Sequence, residues 1–183
     1  MEVEKLMPDE ITEPEPLTTN EIARVQVLEG EVMNRMIKLA KVVSQTTMVP
    51  RADQGKVDQV FAKIMFGAGL GLQPMESLWS IHMIEGKPTL SSAAMRTLVA
   101  RAGHSITPVE MTDEKVTVVG KRKDGAELTV TWTVDDAKQA QLWGKDNWKK
   151  YPRQMLLARA SAECARALFA DVLGGLYTEE ELS

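Results

Sequence analysis

The apolar residues change their spacing at Ile106 and change it back near Asp135, and this switch constrains the fold more than any other feature of the chain. From Ile106 to Val134, Val116 and Val118, then Leu128, Val130 and Trp132, alternate with polar residues. Successive side chains of a strand point to opposite faces, so the alternation predicts strands with one buried face. Lys123-Asp124-Gly125 supplies a turn between two of them. The expected product is a small antiparallel sheet.

The flanking segments carry helical spacing. Thr19 or Asn20 can cap a helix with Ile22, Val25, Val32, Met36, Leu39 and Val43 on one side, ending before Pro50. Val57, Val60, Phe61 and Ile64 predict a second helix from Gln54 to Gly67. Gly67, Gly69 and Gly71 read as C-cap and turn glycines, because a phosphate-cradling loop needs a following Gly-Lys-Ser/Thr that is absent. Leu78 to Leu90 predicts two short strands around Glu85-Gly86. Ser91 or Ser92 then caps a helix through Met95, Leu98 and Val99 that stops at Gly103.

After the sheet, Asp135 or Asp136 starts a short helix containing Leu142 and Trp143. A loop, GKDNWKKYP, leads to Pro152, which suits the first turn of a long helix running to about Val172 and stopping at Gly174-Gly175. The fold expected is α+β: a small antiparallel sheet with a β-hairpin, packed against several helices, with a long C-terminal helix.

At 183 residues the chain can bury one sizeable core. Residues 1–18 are acidic and hold Pro8, Pro14 and Pro16 without an apolar face, which predicts disorder. Residues 19–177 form the expected core domain, and 178–183 an acidic end. No apolar run approaches a membrane span, no signal-peptide pattern opens the chain, and one cysteine suits a reducing cytoplasm. Two histidines and Cys164, far apart, give no metal-ligand spacing.

The net charge of −4 conceals a split. Residues 1–31 hold nine acidic and two basic side chains, and 178–183 add three glutamates. The body between, 32–177, holds 20 Lys and Arg against 14 Asp and Glu. A basic body between acidic ends suits a polyanionic partner; a solvated surface with two disordered tails explains the same charges.

The basic residues concentrate toward the final helix: from Lys138 to Arg166 there are seven, against two acidic ones. Arg159 and Arg166, seven apart, lie within about 20° of each other around a helix and share that side with Glu163. Lys149, Lys150 and Arg153 precede them. Arginine suits a phosphate backbone because its planar fork donates two parallel hydrogen bonds and keeps its charge. An exposed Arg159–Glu163–Arg166 ion-pair ladder is the rival explanation.

Other polar candidates read as structural. Trp79 and Trp132 fall in strand patterns and are expected in the core. Trp143 and Trp148 flank the basic loop, where either can stack on a base or bury against the final helix. His82 reads as a strand residue, His104 as a turn residue, and Cys164 as a packed thiol with no histidine placed to activate it. Asp135-Asp136, the one paired-carboxylate feature, is explained by helix capping.

Two blocks carry a family resemblance. PRQMLLARASAECARALFADVLGGLYTEEE resembles the C-terminal core signature of phage strand-annealing recombinases of the RecT/Redβ superfamily, especially the Redβ (Bet) branch. The shared features are a proline, a basic residue, Met-Leu, Cys-Ala-Arg, an aromatic, and Gly-x-Tyr followed by acidic residues. GLGLQPMESLWSIHMIEGKPTLSSAAMRTLVARAG resembles the family's Gly-Leu-x-Pro turn, strand pair and following helix.

The resemblance implies a protein of the bacterial host's cytoplasm that binds single-stranded DNA and anneals complementary strands without ATP or any cofactor. It implies assembly into rings or helical filaments around an annealed duplex intermediate. It puts Arg153, Arg159 and Arg166 on basic family positions that line the DNA groove, and Lys87 and Arg101 in regions that approach DNA. Relatives continue past Gly-x-Tyr into a region that recruits an exonuclease or a single-strand-binding protein, whereas this sequence stops at Ser183. Two other function classes fit the composition: a non-enzymatic adaptor that binds proteins, and a metal-dependent nuclease.

Overall fold

The computed structural model describes residues 19–84, 86–174 and 177–178, with side chains between residues 30 and 174. The expectations for residues 1–18, Glu85, Gly175 and 179–183 lie outside the described residues. The chain divides into two units, Met1–Arg35 and Met36–Ser183. Helix α1 (Thr19–Ser44) carries residues of both. Within the first unit, Glu31 and Arg35 form an exposed pair at 3.7 Å.

In the second unit, Ala40 and Val43 at the end of α1 share a buried cluster with Val49, with Val60 and Ile64 of α2 (Val57–Gly69), and with Leu78 of α3 (Pro74–Ser80). A 3-10 turn, Arg51–Asp53, precedes α2 and puts Asp53 against Lys63 of α2 at 2.6 Å. Helix α2 runs through Gly69, so Gly67 is not its cap. A Cβ at Gly67 would collide with Ser77, and the glycine is what lets α2 and α3 touch. Gly71 supplies the turn with φ +71°.

The strand expected from Leu78 begins only at Ile81. Pro74 at the first helical position starts α3 instead, turning Leu78 inward and leaving Trp79 58% exposed. Trp79 is therefore a surface residue and not the core residue its pattern suggested. Strands β1 (Ile81–Ile84) and β2 (Lys87–Leu90) form the hairpin, with Ile81 opposite Leu90. Ser91 caps α4 (Ser92–Arg101), its hydroxyl accepting the Ala94 N–H at 3.2 Å.

The period-two segment folds into β3 (Ser105–Met111), β4 (Lys115–Lys121) and β5 (Glu127–Thr133), an antiparallel sheet in that order. Val116, Val118 and Val130 are buried on one face, as the alternation requires. Thr133 caps α5 (Val134–Gln139): its hydroxyl accepts the Asp136 N–H at 3.2 Å, and the Asp136 carboxylate accepts the Thr133 N–H at 2.8 Å. Asp136 is thus the partner in a capping box and not the cap itself. GKDNWKKYP holds a short helix, α6 (Asp146–Lys150), where a loop was expected; Trp148, 2% exposed, pins it to the core.

Helix α7 (Pro152–Leu168) begins with Pro152 in its first turn and is central to the packing. Leu156, Ala160 and Cys164 join the sheet's buried valines in one cluster, while Ala162 and Ala165 join Met95 and Leu98 of α4 in another. Small side chains let the backbones come close: a Cβ at Gly120 of β4 would lie 2.5 Å from the Cys164 sulfur. The helix stops at Leu168, short of the expected Val172. Phe169 leaves helical geometry at φ −130° with its ring fully buried, and α8 (Ala170–Leu173) follows, closed by Gly174 at φ +59°. Strand β6 (Tyr177–Thr178) then pairs in parallel with β2, giving a second sheet in the order β1-β2-β6. The architecture is α+β, with two small sheets and a long C-terminal helix that packs on the β3-β4-β5 sheet.

Candidate nucleic-acid interface

The α6–α7 junction displays its cations on a rigid base. With Trp148 in the core, the neighbouring Lys149 and Lys150 are exposed. Trp143 is half-buried and tilts against Trp148, ring centroids 6.5 Å apart. Of the two tryptophans, Trp143 alone keeps surface that a base can reach. Arg153, in the first turn of α7, is exposed and lies 3.8 Å from Asp113 in the β3–β4 turn.

Between these elements runs an open groove of about 690 Å³. Lys149, Pro152 and Trp143 line one part; Lys138 and Asp135 of α5 line another, together with Asp113, Glu114 and Lys115 of the β3–β4 turn. Its charges are mixed and partly spent. Lys138 pairs with Asp135 at 2.8 Å, and Lys115 with Glu110 at 2.7 Å. Lys149 and Lys150 are exposed and form no ion pair among the described residues, although Asp113, Glu114 and Asp135 line the same groove as Lys149. Lys115 is far from Lys149 in sequence, and only the sheet-to-helix packing brings both to one groove.

Arg159 and Arg166 occupy a different, half-buried position on α7. The Arg159 guanidinium sits 5.5 Å from the Trp132 ring centroid. The Trp132 indole N–H donates to Glu163 at 2.6 Å. One tryptophan on β5 therefore holds both an arginine and the glutamate between the two arginines, a contact that intrahelical spacing does not reveal. Trp132 itself is half-buried, packed against the sheet cluster at its edge and not within the core its strand pattern suggested.

The two remaining cations lie elsewhere on the second unit. Lys87 is exposed at the start of β2. Arg101, at the end of α4, makes two contacts with the Glu76 carboxylate of α3, at 2.8 and 3.0 Å. Those bonds hold the Glu76 carboxyl below its ordinary value.

The remaining polar candidates have structural partners. The His104 ring stacks on Phe169 at 5.3 Å, and its Nδ1 accepts the Lys123 N–H at 3.2 Å. The Cys164 thiol is pushed up to about 11 by burial, which keeps it protonated and unreactive at neutral pH. Asp135 and Asp136 face different partners, Lys138 and the Thr133 backbone. Among the described residues no group of three or more His, Cys, Asp or Glu is placed to hold a metal ion, and no helix is long and apolar enough to cross a membrane.

Sequence reasoning missed two arginines that the packing makes prominent. Arg122, just after β4, donates to the Leu168 carbonyl and to both oxygens of Asp171. Arg96 of α4 reaches the buried hydroxyl of Ser161 on α7. Arg96 stands in no basic run; Arg122 lies within Lys121-Arg122-Lys123, but nothing in that local run shows that it reaches Leu168 and Asp171.

No curated protein and no solved structure matches the chain. The model of the RecT family matches residues 111–183, from the last residue of β3 through the sheet, the groove and all of α7, and this match supports for the chain the RecT/Redβ single-strand annealing superfamily that its two sequence blocks resemble.

Proposed function

We propose that this protein binds single-stranded DNA and anneals complementary strands without ATP in phage homologous recombination, as an oligomer that holds the phosphate backbone. The RecT-family match over residues 111–183 carries this reading, because it spans the segment where the exposed cations of α6 and α7 lie. The charge split supports it: the body between residues 32 and 177 is basic although the whole chain is acidic.

The chemistry follows from the task. A protein that must accept any sequence holds phosphates and leaves base edges free for the partner strand. Lys149, Lys150 and Arg153 supply charge at the groove, and Trp143 supplies a ring on which a base can stack. Arg159 and Arg166 add charge further along α7, with Lys87 and Arg101 as outlying contacts. Each subunit holds a few nucleotides weakly, and a ring or filament of subunits turns weak sites into one track with high effective concentration. A second strand is sampled against the exposed bases, and correct pairing stabilises the assembly. No bond is made or broken, so the reading assigns no catalytic residue.

The test is duplex formation between labelled complementary oligonucleotides, without ATP, over a range of salt. Annealing faster than the spontaneous rate, weakening as salt rises, is the expected result. Absence of salt-dependent DNA affinity points to a protein-binding adaptor, and shortening of the labelled strands in magnesium points to a nuclease; either overturns the proposal.

A further inference from the structure

Arg96 is half-buried between α4 and α7, and its Nη1 donates to the Ser161 hydroxyl at 3.0 Å. Ser161 is itself fully buried. Among the described residues no carboxylate forms an ion pair with this guanidinium. Burial lowers its pKa, and no anion among the described residues offsets that effect.

Even partly withdrawing a charge from water costs a fold free energy, and a single bond to a neutral hydroxyl offsets little of it. Arginine cannot escape by shedding its proton, as a buried lysine can. Nor is a charge needed to tie α4 to α7, since Met95, Leu98, Ala162 and Ala165 already pack there. The guanidinium has five N–H donors, and one of them is met by Ser161. A fork held at one corner, with no anion of the described residues on its other donors, is suited to receive a planar or tetrahedral oxyanion in paired bonds. Ser161 lies on the same helix as Arg159 and Arg166, within the segment matched by the RecT family.

We propose that Arg96 is a phosphate ligand for the single strand, positioned by Ser161, at the junction of α4 with α7. The inference rests on the strand-binding function proposed above and adds a residue to it, from a helix that lies upstream of the matched segment.

The experiment titrates the full-length chain against a fluorescent oligothymidylate at several salt concentrations, with a thermal melt of each variant. Arg96→Gln should bind several-fold more weakly at low salt, with a log–log salt slope flatter by about 0.7, the loss of one single-strand phosphate contact. Its melting temperature should stay near the parent's. Arg96→Lys should keep the slope but bind more weakly, because it retains the charge and loses the fork. Arg96→Gln with the parent's slope overturns the proposal and makes the residue a helix tie alone. Should Arg96→Gln not fold, Arg96→Lys decides: weaker binding at the parent's melting temperature supports a ligand, and unchanged binding with a lowered melting temperature overturns it. Absence of salt-dependent binding by the parent itself overturns the strand-binding function and this inference together; binding by the parent with no change in the variants overturns this inference alone.

Discussion

Arg122 and Asp171 are joined by two parallel hydrogen bonds, at 2.8 and 2.9 Å. The same guanidinium donates to the Leu168 carbonyl at 2.9 Å and lies 5.9 Å from the Phe169 ring centroid. One side chain at the end of β4 thus closes α7, holds the first turn of α8 and covers the aromatic residue between them.

This pair has a pH signature. The Arg122 hydrogen bonds hold the Asp171 carboxyl down to about 2, below its ordinary value of 3.8. A depressed carboxylate contributes stability that is present above its unfolded pKa and is lost as pH falls through its folded one. Asp171→Asn should therefore be modestly less stable than the parent at neutral pH, the exposed pair being screened by solvent. Urea midpoints should show the gap closing as pH falls from about 4 to about 2. A gap that persists undiminished at the acid end would separate the pair from the effect.

The Lys63–Asp53 pair is the opposite case, with both side chains almost wholly buried at 3% and 2% exposure. Removing one partner strands the other charge in the interior. Lys63→Met should destabilise the fold by about 3–5 kcal/mol, whereas the double variant Lys63→Met, Asp53→Leu should recover most of that loss. Urea unfolding of the two variants checks this, and equal destabilisation in both would contradict it.

Gly120 sets the distance between β4 and α7. An alanine there places its methyl 2.5 Å from the Cys164 sulfur and 3.1 Å from a Leu168 methyl. Gly120→Ala should cost about 1–3 kcal/mol by overpacking. Adding Cys164→Ala should relieve part of the clash, giving a favourable coupling energy in a double-mutant cycle.

At the groove, the double variant Lys149→Gln, Arg153→Gln should weaken binding of single strands to a similar degree for every sequence tested. If each residue meets one phosphate, the salt slope should flatten by about 1.4. Trp143→Ala should lower affinity by about 1–3 kcal/mol if its ring stacks on a base, with little change in slope. Fluorescence anisotropy over a salt series measures both. A double variant with the parent's slope would move the strand away from this groove.

The chain's periodicities were enough to determine the α+β class, a small antiparallel sheet, the hairpin and the proline-led final helix, because each is written in local spacing and turn chemistry. The basic run before and along α7 was equally legible, as was the order of the two family-like blocks. Local pattern failed where two conformations share it: the residues around Leu78 fit a strand or a short helix, and Pro74 at the helix start together with the packing of Ser77 against Gly67 selects the helix and turns Trp79 outward. It failed also at Phe169, where α7 breaks because a ring buried beside His104 and a carbonyl held by Arg122 favour the break over another helical turn. The tertiary structure alone brought Lys115 to the groove of Lys149, gave Glu163 to the Trp132 indole, and set Arg96 against Ser161. Such contacts join residues far apart in the chain, so their geometry depends on how helices and sheet stack, which no window of sequence contains.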